Sequence, residues 1–299
     1  MHRFFKKMGI AVFFLVFLLF VFPVVVFADM GPKPSIDIMF ENLNQRIYVT
    51  LLSEDKSTGP YSVFDEEHET LDDVFETFGN GLEKEDYLRF IEYEDQDGFY
   101  FLKIVWVITP ENNVLHWGYY PPSCFKILLF DPLTDTFLSG AKTQRYAFKS
   151  YFKVDLENFE PTVEEILPPA VRNYDYAGEI GSLLVRIILT VFIELGVAVL
   201  FFFGKKVFLK IVFVNVVTQV LLNLFLNWIY YQNGSLAYGM AYLPLEFLII
   251  LIESVVYSIL FTKTAIKRPV LKAILYSVFA NAASFAVGIL LWRYLPFAF

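Results

Sequence analysis

The spacing of apolar side chains divides the chain into two parts of different character. Up to about residue 157 the apolar runs are short, rich in β-branched and aromatic residues, and bounded by turn formers. Ile36–Phe40, Arg46–Leu52, Phe99–Thr109, Cys124–Phe130 and Tyr146–Val154 all read as strands on this pattern. Between them, Asp65 to Phe78 places Leu71, Val74, Phe75 and Phe78 at helical spacing and predicts one short helix. Strands separated by Pro/Gly turns, with no alternation of strand and long helix, predict a mostly-β, sandwich-like domain over 29–157. Beyond it the apolar runs are long. Those at 182–203, 207–230, 240–262 and 270–293 each approach the ~20 residues that cross ~30 Å of hydrocarbon. The fold class that follows is an α+β membrane protein, with a β-rich domain and then a four-helix transmembrane domain at 182–299. Residues 158–181, with Pro161, Pro168 and Pro169 among acidic residues, read as a short stiff stalk.

Arg3, Lys6 and Lys7 precede a further apolar run from Met8 to Ala28, where Pro23 breaks the helix and Val26 and Ala28 occupy the −3 and −1 positions. Residues 1–28 are therefore expected to be a secretory signal peptide cleaved after Ala28.

Composition agrees with a membrane protein. The chain is 56% hydrophobic and 19% charged, against a soluble norm of about 25% charged. Charge is divided along the sequence: residues 29–175 carry 28 acidic and 12 basic residues, a net −16, and the remainder carries 4 and 12, a net +8. The acidic part would repel phosphates and the cations lie beside apolar runs, so nucleic acid is not expected as a partner. The connections at 204–206 and 263–269 hold cations whereas 231–239 holds none, which places the first two in the cytoplasm of a bacterial plasma membrane. Residues 29–180 and the C-terminus are then extracytoplasmic. Tyr174, Tyr176, Trp228, Tyr230, Tyr231, Tyr238, Tyr242, Trp292 and Tyr294 gather at the outer ends of the spans, where amphipathic rings favour the headgroup layer.

Outside the spans, no motif names a reaction. Ser53-Glu54-Asp55-Lys56 has the spacing of a serine–lysine pair but runs into Ser57-Thr58-Gly59-Pro60, a turn. Asp95-Gln96-Asp97-Gly98 holds part of a calcium loop without its terminal Glu, and reads as a hairpin turn. His2, His68 and His116 are scattered, Gly204-Lys205-Lys206 lacks the rest of a phosphate loop, and Cys124 alone cannot pair within the chain.

The polar residues inside the spans are the informative feature. Arg186, Thr190 and Glu194 fall in the first. Asn215, Gln219, Asn223 and Asn227 fall in the second, Glu246 and Glu253 in the third, and Ser277, Asn281 and Ser284 in the fourth. Spacings of three, four and seven put each set on one helix face, which turns inward because lipid cannot satisfy amides or carboxylates. Counted from the span ends, Glu194, Gln219, Glu253 and Asn281 form a midplane layer flanked by Asn215 and Asn223. Arg186, Asn227 and Glu246 form an outer layer in which Arg186 and Glu246 make an ion pair. The midplane layer has no base at its own depth, so it must carry a proton or a cation. Oxygen-only donors suit a hard ion such as Na⁺, Ca²⁺ or Mg²⁺, and the other reading is hydrogen bonding that holds the helices together.

The segment 29–35 (Asp-Met-Gly-Pro-Lys-Pro-Ser), with Asn215-x-x-Thr218-Gln219-x-x-x-Asn223, Glu246-x6-Glu253-x-x-x-Tyr257 and Asn281-x-x-Ser284-x-x-x-Gly288, resembles a group of uncharacterised bacterial membrane proteins. The resemblance implies a signal peptide, an external domain and four C-terminal helices, and no activity. The function expected first is envelope binding, sensing or scaffolding, in which the external domain contacts an envelope protein or ligand and the helices anchor it in the bilayer, also as a homo-oligomer. The alternatives are a small ion- or solute-translocating unit that depends on Glu194 and Glu253, and an intramembrane enzyme, which is less expected because no paired acid and base with water access is evident.

Overall fold

A computed structural model describes residues 31–79, 81–157 and 166–294. The expected signal peptide, residues 158–165 of the expected stalk and the last five residues lie outside them. The chain forms two compact units, one spanning Pro32–Tyr174 and the other containing the long helices from Asp175 onward.

In the N-terminal unit, β1 (Ser35–Glu41) pairs parallel with β10 (Lys149–Asp155) and antiparallel with β6 (Val114–Trp117). With β11 (Val171–Arg172) they give a four-stranded sheet of order β11-β10-β1-β6. A second sheet, β5-β2-β7-β8, is built from β5 (Trp106–Ile108), β2 (Ile47–Ser53), β7 (Cys124–Asp131) and β8 (Thr136–Ser139), with β9 (Thr143–Gln144) against the start of β7. A two-residue ribbon, β3 (Ser57–Thr58) with β4 (Tyr61–Ser62), closes the turn that follows Ser53.

Every residue of β2 and β7 is buried, and alternation explains how. Ile47, Val49, Leu51, Phe125, Ile127 and Leu129 pack with Ile36, Ile38 and Phe40 of the first sheet. Tyr48, Leu52, Cys124, Leu128 and Phe130 face the other way, onto Val74 of α1 (Leu71–Phe78) and Tyr87 and Phe90 of α2 (Lys84–Glu92). Each such fully buried side chain contributes roughly 1.5–3 kcal/mol. This corrects the expected sandwich: the first sheet is mixed and the second antiparallel, they are not closed into a sandwich, and helices cover the far face of the second. Helix α2 escapes a hydropathy reading because Lys84, Glu85, Asp86 and Arg89 surround its apolar face. Helix α1 starts later than the expected Asp65, because the Thr70 hydroxyl accepts from the Asp73 N–H (3.3 Å) and caps it there.

The two buried lysines of this unit are paired with carboxylates. Lys126 Nζ donates to both oxygens of Asp95 at 3.0 Å and to Asp97 at 2.5 Å. The turn read as part of a calcium loop is thus held by an ammonium group. Lys103 Nζ donates to both oxygens of Glu69 at 2.7 Å. Ser53 Oγ accepts from the Asp55 N–H (3.1 Å) and Lys56 lies over the Tyr100 ring, which makes that segment a turn.

Among the described residues the second unit has three, not four, helices long and apolar enough to cross a membrane: α3 (Tyr176–Leu200), α4 (Lys205–Thr262) and α5 (Pro269–Tyr294). The correction concerns the middle of the domain, where the expected second and third spans belong to one 58-residue element. Straight, such a helix would reach about 87 Å, far beyond ~30 Å of hydrocarbon. Its single non-helical residue is Gly234 (φ 80°, ψ −174°), a conformation open essentially only to glycine. The arms on either side pack together in nested pairs: Leu222 with Ile249, Thr218 with Glu253, and Asn215 with Tyr257. The helix therefore folds back at one residue where the sequence predicts a nine-residue connection, and Tyr231–Tyr238 otherwise continues the helical arms. The same fold-back brings Lys205 and Lys263 to the end opposite Gly234.

Candidate functional site

Both arms of α4 and helix α5 converge on Glu253. Thr218 donates its hydroxyl to one carboxylate oxygen at 2.7 Å, and Asn281 on α5 donates its amide to the other at 2.6 Å. The Ser277 hydroxyl lies beside the same group. Glu253 is 0% exposed, as are Glu194 and Asn215. Hydroxyl and amide donors at i, i+4 spacing face a partner helix together, and no basic side chain is among the hydrogen-bond donors to Glu253.

Glu194 on α3 is arranged differently. Neither of its oxygens has a hydrogen-bond partner. The Asn215 side chain lies beside it, outside hydrogen-bonding geometry, and its own Nδ2 is also unpartnered, while its Oδ1 accepts the Tyr257 hydroxyl. The Asn281 Oδ1 is unpartnered too. Glu194 lies within electrostatic reach of Glu253 and Glu246. An ionised carboxylate buried without donors costs several kcal/mol, so a proton or a cation belongs on this group.

Of the expected central set, Glu253 and Asn281 bond directly and Glu194 and Asn215 are neighbours. Gln219 and Asn223 are buried but bond within α4, Asn223 Nδ2 donating to the Gln219 carbonyl at 2.9 Å. Thr218, Tyr257 and Tyr276 complete the site, the Tyr276 hydroxyl donating to the Glu194 backbone carbonyl at 3.2 Å. Thr218 and Tyr257 were signalled in the sequence by their spacing of three residues from Asn215 and four from Glu253, whereas Tyr276, five residues from Asn281, carried no such signal.

In the outer layer Arg186 donates to Asn227 Oδ1 at 3.3 Å, and its Nε is buried without a partner. Arg186 and Glu246 make no ion pair among the described residues. Two tyrosines intervene: Tyr238 beside Arg186 and Tyr242 beside Glu246, their rings stacked at 5.9 Å.

No protein-family model, curated protein or solved structure matches this chain. With three membrane-length helices in place of four, this overturns the resemblance drawn from the sequence to a group of bacterial membrane proteins.

Proposed function

We propose that the membrane unit moves a small cation across the bilayer, with Glu194 and Glu253 as its carriers and a proton as the cation. One observation carries this: two fully buried carboxylates stand in electrostatic contact, one accepting two donors and the other none. Glu253 is equipped to hold negative charge and Glu194 to hold a proton, so one proton has two inequivalent seats in the same core. The reading displaces the envelope-binding or scaffolding role expected first, because among the described residues the unpartnered buried side-chain atoms all lie among the helices and none in the N-terminal unit. The charge pattern supports a plasma-membrane orientation with the Lys205 and Lys263 ends cytoplasmic and the Gly234 end, with the N-terminal unit, outside.

The test uses the full chain in sealed liposomes with a trapped pH dye, a K⁺ gradient and valinomycin. Wild type should acidify the lumen faster than protein-free vesicles, and Glu194→Gln and Glu253→Gln should fall to the protein-free leak. Wild-type flux no greater than that leak would overturn the reading, as would variants as fast as wild type. Carboxylate-dependent flux of Na⁺ in place of H⁺ would overturn the proton.

A further inference from the structure

The two ends of the polar core are built differently. Toward the Lys205/Lys263 end, Phe201, Phe203, Tyr257, Phe261 and Tyr276 form a continuous ring cluster, with centroids 4.8–5.8 Å apart. Tyr257, Phe261, Tyr276, Ala273 and Ile211 are each 0% exposed there. The two tyrosine hydroxyls of this cluster are both bonded inward, to Asn215 and to the Glu194 carbonyl. Toward the Gly234 end a small buried apolar cluster, Leu222, Leu226 and Ile249, adjoins a polar layer in which Arg186, Asn227, Tyr238, Tyr242 and Glu246 are all of intermediate exposure. Pro244, two residues from both Tyr242 and Glu246, cannot donate the helical hydrogen bond to Met240.

Glu246 sits seven residues from Glu253 on the same face of α4. Its neighbours suit it to both charge states. The Tyr242 hydroxyl is beside it, and Arg186, across on α3 with its Nε–H unpartnered, supplies a countercharge within reach of both tyrosines. The other titratable groups facing this layer are Tyr238, Glu179, Glu194 and Glu253, and α5 contributes Phe285, stacked on Tyr242 at 5.9 Å.

We infer that in this conformation the central carboxylates communicate with the Gly234 side alone, that Glu246 is the first proton-binding station on that route, and that the five-ring cluster closes the opposite end. The inference rests on the translocation reading and adds its sidedness and its outermost carboxylate.

Two measurements separate the claims. In the liposome assay Glu246→Gln should lose most of the flux and Glu246→Asp should recover it, with thermal unfolding unchanged in both. In a Cys124→Ser background, Asn227→Cys and Ser284→Cys should react with a small cationic methanethiosulfonate, read by mass shift, whereas Ile211→Cys and Ala273→Cys should not. Adding Phe261→Ala should make Ile211→Cys reactive. Equal labelling at both ends, or wild-type flux in Glu246→Gln while Glu194→Gln is inactive, overturns the inference and leaves translocation standing. Wild-type flux in Glu194→Gln as well overturns both.

Discussion

The two units of this protein bury charge in opposite ways. In the N-terminal unit Lys126 and Asp95 have side chains 7% and 2% exposed, and Asp95 also accepts from the backbone N–H groups of Asp97 (3.0 Å) and Phe99 (3.3 Å). Among the described residues of that unit, no buried side-chain nitrogen or oxygen lacks a hydrogen-bond partner. Among the described residues, all five buried side-chain atoms without a hydrogen-bond partner belong to the helices: Arg186 Nε, both Glu194 oxygens, Asn215 Nδ2 and Asn281 Oδ1. A paired buried charge fixes a fold, whereas an unpaired one stores a demand that a proton, an ion or a rearrangement can meet. The contrast assigns structure to the first unit and chemistry to the second.

The contrast breaks most visibly at its paired end. Lys126→Met strands the Asp95 carboxylate, and should destabilise the N-terminal unit by about 3–5 kcal/mol, read as a lower thermal midpoint by near-ultraviolet circular dichroism. Glu194→Leu should act with the opposite sign, raising the midpoint of the helical unit by about 1–3 kcal/mol, because it removes two unpartnered oxygens and leaves a side chain of similar volume. If both substitutions destabilise alike, Glu194 is packed as firmly as Asp95 and the distinction fails. The smallest effect concerns Cys124. Burial, reinforced by Glu54 beside it, pushes the thiol above its ordinary range, with Lys142 opposing. The thiolate fraction near neutral pH is then low, so a disulfide reagent should label native protein slowly, faster as pH rises, and at once after unfolding. Rapid labelling of the native protein at neutral pH would mean that this part of the first unit opens readily.

What the sequence revealed, it revealed through periodicity. Long apolar runs located the membrane-length helices, and the i, i+4 stripes located Glu194, Asn215, Glu253 and Asn281, because lipid gives a polar side chain nowhere else to turn. Asn233-Gly234-Ser235 marks a turn in the sequence, but hydropathy has no term for a reversal made by one residue, so the fold-back was read as a nine-residue loop between separate elements. In the N-terminal unit, β6 and α2 were missed because His116 interrupts the first and charges crowd the second. The sandwich was inferred from strand content alone, and strand content does not reveal that Tyr48, Leu52 and Leu128 need a layer of helices behind them. The partners of Arg186 were misassigned because opposite charges at similar depth need not meet when Tyr238 and Tyr242 occupy the space between.

The fold-back at Gly234 gives the helix a reading frame. Asn215 finds Tyr257 and Thr218 finds Glu253 because each is a fixed number of residues from one glycine. A single inserted or deleted residue between 218 and 253 would rotate everything beyond it by about 100° and slide it by ~1.5 Å. Glu253 would then swing away from Thr218 and Asn281 together. The outward positions of this stretch, such as Leu221, Leu224 and Leu243, are free to exchange one apolar side chain for another, but the number of residues between the two halves of the site is not free to change.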